Sequence, residues 1–330
     1  MSQLIDPWLD ESEQVDYHTA FSEQRRTLPA LVTSIAGLEN LLAKEGYAGN
    51  ASDKRGISRQ IDAILISHPF TDHCHPGTLK DCPSRIPILV TSDAKPALES
   101  LLGGRKKLEN EKRAIYVLDK ADHHEAPAFS NKQCTRILPC NVEILQILPR
   151  ERFSMLSGAA SIAWTKLHGG ILVLWKPPLC DISTQTKTHS MIYTPHGIGV
   201  KSIPKWLSGK DMFSGAILTS LDKIVLPSWL SGVVNLGLSS ALDLIKQDVY
   251  TPKYILATHE ERKEAKGIVA RLITRYWLGL ETPDAKNEGL TELKQKDVNR
   301  QVEAQSYVDT HVGPKAVQVL VLDINEPLTL

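Results

Sequence analysis

The chain has 330 residues, enough to bury a large core as one α/β domain or two smaller ones. Hydrophobic residues make up 42% and charged residues 23%, the balance of a soluble globular protein. The 38 basic and 38 acidic side chains cancel, and no basic stripe is interleaved with aromatics, so nucleic acid and anionic membrane are poor partners.

The N-terminus, M-S-Q-L-I-D-P, lacks the basic start and apolar run of a signal peptide. No segment offers the ~18 uninterrupted apolar residues of a membrane span. The five cysteines, Cys74, Cys82, Cys134, Cys140 and Cys180, are irregularly spaced and form no C-x-x-C pair. Neither a disulfide framework nor a zinc knuckle follows from them, and reduced thiols in the cytoplasm are expected.

Strand-length apolar runs recur along the chain, at Ile61 to Ser67, Ile86 to Thr91, Ala114 to Leu118, Val142 to Leu148 and Ser161 to Leu167. Further runs follow at Ile171 to Trp175, Met191 to Thr194, Ala216 to Thr219, Lys253 to Thr258 and Val317 to Leu322. Between them, Ala94 to Leu102, Val234 to Val249 and Glu261 to Trp277 show an apolar stripe at helical spacing. Strands alternating with helices predict an α/β architecture. Residues 281–315 are polar and read as a surface excursion before a last strand. No linker of biased composition divides the chain, which favours a single domain over 1–330.

The histidines fall at strand ends. The cluster H-P-F-T-D-H-C-H, His68 to His75, directly follows the strand D-A-I-L-I-S. His196 follows M-I-Y-T in the turn T-P-H-G, and His259 follows K-Y-I-L-A-T. The carboxyl ends of strands in α/β sheets are where ligands bind, so these loops are candidates for one crevice. Imidazole with carboxylate is a ligand set for zinc, iron or manganese. A lone histidine after a strand is more often a cap or surface residue, and the order H-x-x-x-D-H is what raises this cluster above that reading.

His68-Pro69-Phe70-Thr71-Asp72-His73 resembles the H-x-H-x-D-H motif of the metallo-β-lactamase superfamily. Leu4-Ile5-Asp6-Pro7-Trp8-Leu9 is similar to the L-D-P-W-L that ends an early strand in the family. Leu226-Pro227, Gly232 to Gly237 and Ala257 to Glu261 resemble later family segments. The flavour is that of the lactonase-like branch and of fungal members of small-molecule metabolism. The resemblance implies an αββα sandwich, here with only a few residues ahead of Asp6 and so without the usual N-terminal strands. An uncovered sheet edge would then invite a homodimer.

The departures from the family bear on mechanism. Phe70 stands where the motif has its second histidine, and Pro149, Arg150 and Glu151 stand where a third would follow a strand. His168 is the nearest substitute there and a candidate to line the pocket with Phe70. One of the family's two metal sites is therefore lost. For the other, the resemblance implies Asp72, His73 and His259 as ligands, with His196 in the place of the bridging aspartate. Asp6 would support a ligand from behind. The expected cofactor is one divalent metal, zinc foremost, with iron, manganese or no metal as alternatives.

Such an ion would support hydrolysis of an ester, lactone, thioester or phosphorylated metabolite, with His68, Asp72 and His73 as catalytic groups. The alternative is a metal-independent biosynthetic enzyme of fungal secondary metabolism, a cyclase, isomerase or pericyclase such as a Diels-Alderase, acting by positioning an apolar substrate. A non-enzymatic scaffold is the third reading. Cys74 follows the motif at a presumed helix start, where a thiol is either acidified or simply packed.

Overall fold

The computed structural model describes residues 2–11, 14–16, 20, 22–27, 30–46, 51–52, 58–104, 113–129, 137–151, 166–177, 187–227, 232–258, 263–279, 300–314 and 317–321. The protein is mixed α/β, with several sheets, and its contacts gather into two compact units. None of the helices among these residues is long and apolar enough to cross a membrane.

The first unit spans Met1–Leu118, Lys132–Ile137 and Arg262–Ile268. Its centre is a four-stranded parallel sheet in the order Gln3–Ile5, Ala63–Ile66, Ile88–Val90, Ile115–Val117. The central strands Ala63–Ile66 and Ile88–Val90 are apolar at every position and wholly buried, as parallel strands covered on both faces must be. Helices Ile35–Lys44, Pro76–Lys80 and Lys95–Leu101 supply Ile35, Leu79 and Leu98 to the same apolar cluster as Ile64, Ile66, Ile88 and Val90. Ser34 caps the first of these helices, its hydroxyl accepting from Gly37 N at 3.1 Å. A second, antiparallel sheet pairs Lys263–Lys266 with Ser22–Arg26 and that strand with Gln14–Asp16.

The other unit carries a seven-stranded sheet in the order Gln318–Leu320, Tyr254–Ala257, Met212–Thr219, Thr188–Thr194, Gly170–Trp175, Val142–Ile147, Asp119–Lys120. The first four are parallel, and the hairpin-like trio from Thr188 back to Val142 is antiparallel. Helices Leu238–Lys246 and Arg300–Val312 share one apolar core with this sheet through Leu238, Ala241, Leu242, Leu244, Ala304 and Val308. A small antiparallel sheet of Val233–Asn235, Lys223–Val225 and Thr274–Tyr276 is tied by a salt bridge between Asp222 and Arg275 at 2.9 Å.

Four expected elements differ from the expectation or fall partly outside the described residues. The stripe read as a helix from Glu261 to Trp277 becomes strand Lys263–Lys266, a five-residue helix Ile268–Leu272 and strand Thr274–Tyr276. Gly267, at φ 95, breaks the run, and the backbone on either side is taken by two different sheets. The 281–315 excursion contains helix Arg300–Val312, whose Ala304 and Val308 are fully buried. The helix expected from Val234 begins at Leu238 instead, because Val233–Asn235 pairs as a strand and Gly237 turns the chain at φ 66. The strand expected at Ser161 to Leu167 lies outside the described residues up to 165, and Lys166–His168 is a 3-10 turn.

Candidate metal centre

The strand Gln3–Ile5 delivers Asp6 beside the end of Ala63–Ile66, with Asp6 N donating to Leu65 O at 2.9 Å. Asp6 adopts φ 45, a left-handed conformation that Asp tolerates better than most residues. The turn aims its carboxylate at the next loop. Oδ1 accepts from Ser67 N at 2.7 Å, while Oδ2 accepts from the Ser67 hydroxyl and bonds His73 Nδ1 at 2.7 Å. Ser67 Oγ also lies 2.7 Å from His68 Nδ1, so one carboxylate orients both imidazoles, directly and through a serine. The two rings sit with centroids 4.9 Å apart.

Electrostatics follow from that geometry. Burial by itself would raise the Asp6 pKa, but His73, His68 and Ser67 outweigh it and hold the carboxyl below its ordinary value. Burial likewise disfavours a charged His73, yet Asp72 and Asp6 prevail and hold it at about 9. With Nδ1 engaged by Asp6, His73 presents Nε2 outward, and Asp72 Oδ1 lies 3.7 Å from that nitrogen. Asp72 Oδ2 in turn faces Lys263 Nζ at 3.4 Å. The turn that carries Phe70 closes with His73 N and Cys74 N both donating to Phe70 O, at 3.0 and 2.7 Å.

Helix Pro76–Lys80 then ends the loop. His75 caps it by accepting from Thr78 N at 3.3 Å, and its ring stacks on Trp8 at 5.4 Å. Cys74 is packed in the apolar cluster, and burial pushes its thiol up to about 12, so the acidified reading of this residue does not hold. Cys82 is buried and Cys140 exposed, all three as free thiols; Cys134 and Cys180 lie outside the described residues.

His196 belongs to the T-P-H-G turn after Thr188–Thr194. Gly197, at φ 81, donates to Thr194 O at 3.0 Å, and a Cβ there would meet Leu236 Cβ at 2.7 Å. His196 O accepts from Leu236 N at 2.9 Å, which completes the fixing of the turn. His168 precedes two glycines that also leave no room for a Cβ, each 2.8 Å from a backbone oxygen. Burial drives the His168 pKa down to about 4 against a hydrogen bond with the Val234 backbone, so this imidazole is neutral at physiological pH. After Val142–Ile147, Arg150 N donates to Ser202 Oγ at 2.8 Å, and the Glu151 carboxylate accepts from Lys201 N at 2.6 Å. Those two residues are committed to fixing a neighbouring turn.

Within the first unit, the buried His68 and His73 set their imidazoles side by side, backed by Ser67 and Asp6, and His196 is a buried histidine at a strand end of the other unit. Two adjacent imidazoles are donors of the kind a catalytic divalent ion takes, and Asp6 supplies the carboxylate partner that such a histidine ligand commonly has. The donor set therefore fits a metal. His259 lies outside the described residues. Lys263 and Ser67 were not singled out by sequence, and Trp8 entered only through the L-D-P-W-L likeness. Ser67 is the one with a local signal, as the polar end of an apolar strand directly before His68.

No family model matches the sequence, and no curated protein matches it. Among solved structures, the chain resembles an isothiocyanate hydrolase from Delia radicum gut bacteria, with a TM-score of 0.52 and 16% identity over 99% of this chain and 92% of that one. It also resembles a possible metal-dependent hydrolase from Veillonella parvula, with a TM-score of 0.52 and 13% identity over 99% and 92% of the two chains. At these identities the likeness is one of fold.

Proposed function

We propose that this protein is a metal-dependent hydrolase of a small organic molecule on a metallo-β-lactamase-type αββα sandwich, with one divalent ion whose ligands include His68 and His73. The observation that carries the reading is the pair of adjacent buried imidazoles, His68 and His73, each fixed from behind by Asp6, directly or through Ser67. Bound there, such an ion would polarise a carbonyl or phosphoryl group through its oxygen and acidify a water molecule.

The chain's own residues supply the rest. Asp6 and Ser67 fix the ring planes of His73 and His68, so no reorganisation is needed when substrate enters. Asp72, at the flank of His73 and within reach of Lys263, is the carboxylate placed to take a proton from an attacking water. Phe70, in the turn between His68 and His73, would line the pocket. Zinc is the leading candidate, with iron and manganese as alternatives. The substrate class is an ester, lactone, thioester or phosphorylated metabolite, and the fold likeness adds isothiocyanates to the panel worth assaying. A cytoplasmic location accords with the composition.

The test is turnover on that panel by metal-loaded wild type, a chelator-treated sample and Asp72→Asn. The expected result is hydrolysis that chelator abolishes, that zinc restores and that Asp72→Asn lowers by about 100-fold or more. Turnover indifferent to chelator would overturn the reading and point instead to a metal-independent reaction.

A further inference from the structure

Asp72 and Lys263 are 191 positions apart in the chain, yet both belong to the first unit, where Asp72 Oδ2 faces Lys263 Nζ at 3.4 Å. Both side chains are sheltered from water, Asp72 at 9% exposed and Lys263 at 12%. Burying an ammonium to this depth is unfavourable unless an anion receives it, and the Asp72 carboxylate is placed to do so. The other carboxylate oxygen, Oδ1, lies 3.7 Å from His73 Nε2, which is too long for a hydrogen bond. Nε2 is the ring nitrogen that Asp6 leaves available for an ion. One oxygen of Asp72 therefore looks towards the lysine and the other towards the reacting side of His73.

The lysine is itself held from several directions. Its backbone pairs across from Arg26 in the antiparallel sheet of Lys263–Lys266 and Ser22–Arg26. The Arg26 guanidinium donates to Trp8 O at 2.7 Å, Leu9 O at 3.2 Å and Asp10 O at 3.0 Å. The strand that bears the lysine is thereby tied to the segment just after Asp6. The ammonium also lies 5.2 Å from the centroid of the Trp8 ring, and Arg26 stacks on the same indole at 4.8 Å. These contacts order a side chain that otherwise samples many rotamers. The last torsion of an aspartate is broad, so an ammonium fixed in this way selects which carboxylate oxygen faces which neighbour.

We propose that Lys263 is a positioning residue for the hydrolytic step: it clamps Oδ2 of Asp72 and so presents Oδ1 to the attacking water. The inference rests on the metal-dependent reading above, in which Asp72 takes a proton from that water. The proton passes from the water to Oδ1 as the water oxygen bonds the electrophilic carbon or phosphorus. Lys263 gives up no proton and touches no reacting atom. His73 and His68 are oriented by Asp6 and Ser67 instead, so the lysine serves the rate and not the binding of metal or substrate.

The experiment joins kinetics to unfolding of the full chain, with the substrate being the member of the panel above that zinc-loaded wild type hydrolyses fastest. Lys263→Met should lower kcat by about 10–100-fold with KM and bound zinc unchanged. Lys263→Arg, which keeps a cation at the position, should recover most of that loss. In an Asp72→Asn background, Lys263→Met should change kcat by less than about 3-fold, because the orientation it sets no longer matters. Urea unfolding of the metal-stripped single and double variants is independent of turnover, and the two substitutions should be non-additive there as well. Lys263→Gln takes the place of Lys263→Met if the methionine variant does not fold. A wild-type kcat in Lys263→Met, additive effects with Asp72→Asn, or a loss accompanied by loss of zinc and not recovered by Lys263→Arg would overturn the positioning role and leave the metal-dependent reading intact. No turnover of any panel member by zinc-loaded wild type would overturn both.

Discussion

Replacing Asp6 tests the scaffold behind the two imidazoles. Its carboxylate receives three hydrogen bonds, from Ser67 N, the Ser67 hydroxyl and His73 Nδ1, all within buried surroundings. Asparagine tolerates the same left-handed backbone and keeps one carbonyl oxygen, so Asp6→Asn removes charge with little change of conformation. Alanine removes every acceptor, leaves an uncompensated imidazole and must also hold φ 45. A hydrogen bond to a charged group is worth about 1.5–3 kcal/mol, and breaking a buried charged pair costs about 3–5 kcal/mol. The expected losses are thus about 2 kcal/mol for Asp6→Asn and about 4 kcal/mol for Asp6→Ala. Urea unfolding of chelator-treated protein at pH 7, followed by tryptophan fluorescence, reads them. Metal affinity, measured by competition with a chromophoric chelator, should fall by about 10–100-fold in either variant. Stabilities within about 0.5 kcal/mol of wild type together with unchanged metal affinity would refute the assignment of Asp6 as the organising carboxylate.

Three further outcomes follow from the structure. His168 keeps a folded-state pKa near 4 against an ordinary 6.5, so the unfolded chain gains a proton that the folded one refuses. Its share of stability, roughly 3 kcal/mol at most, is complete above pH 6.5 and is lost as pH falls towards 4. His168→Gln should flatten that part of the stability profile, and a profile parallel to wild type between pH 4 and 6.5 would count against it. Tyr250 is fully buried and its hydroxyl donates towards Ser190 O and Ala216 O, both at 3.1 Å; Tyr250→Phe should cost about 1–2 kcal/mol in urea unfolding. Gly237→Ala should cost more than about 2 kcal/mol, because the residue sits at φ 66 and an added Cβ would lie 2.7 Å from Lys223 N. A thermal midpoint equal to that of wild type would contradict this.

Much of the framework is legible in the chain because its central strands are buried on both faces. Ala-Ile-Leu-Ile and Ile-Leu-Val read as continuous apolar runs, and the structure pairs them as the middle of a parallel sheet. His68 and His196 are legible for a related reason: each directly follows such a strand. Lys263 is not, since it stands in a run of charges, and what places it is main-chain pairing with a strand more than two hundred residues earlier. The helix Arg300–Val312 was obscured by its polar surface, with Ala304 and Val308 as its only fully buried apolar side chains. The stripe from Glu261 to Trp277 misled in the opposite sense, because apolar spacing cannot register that two sheets claim the backbone on either side of Gly267. Arg150 and Glu151, noted in sequence for the histidine they replace, serve as turn-fixing groups, a role visible only in their partners Ser202 and Lys201.

The most direct test of the central claim is the metal content of the purified native protein, by plasma mass spectrometry, beside His68→Ala and His73→Ala. The account predicts about one equivalent of a divalent transition metal in the wild type, lost from both variants while their circular dichroism is retained. A wild-type protein that carries no metal, and takes up none on dialysis against zinc, iron or manganese, would contradict it.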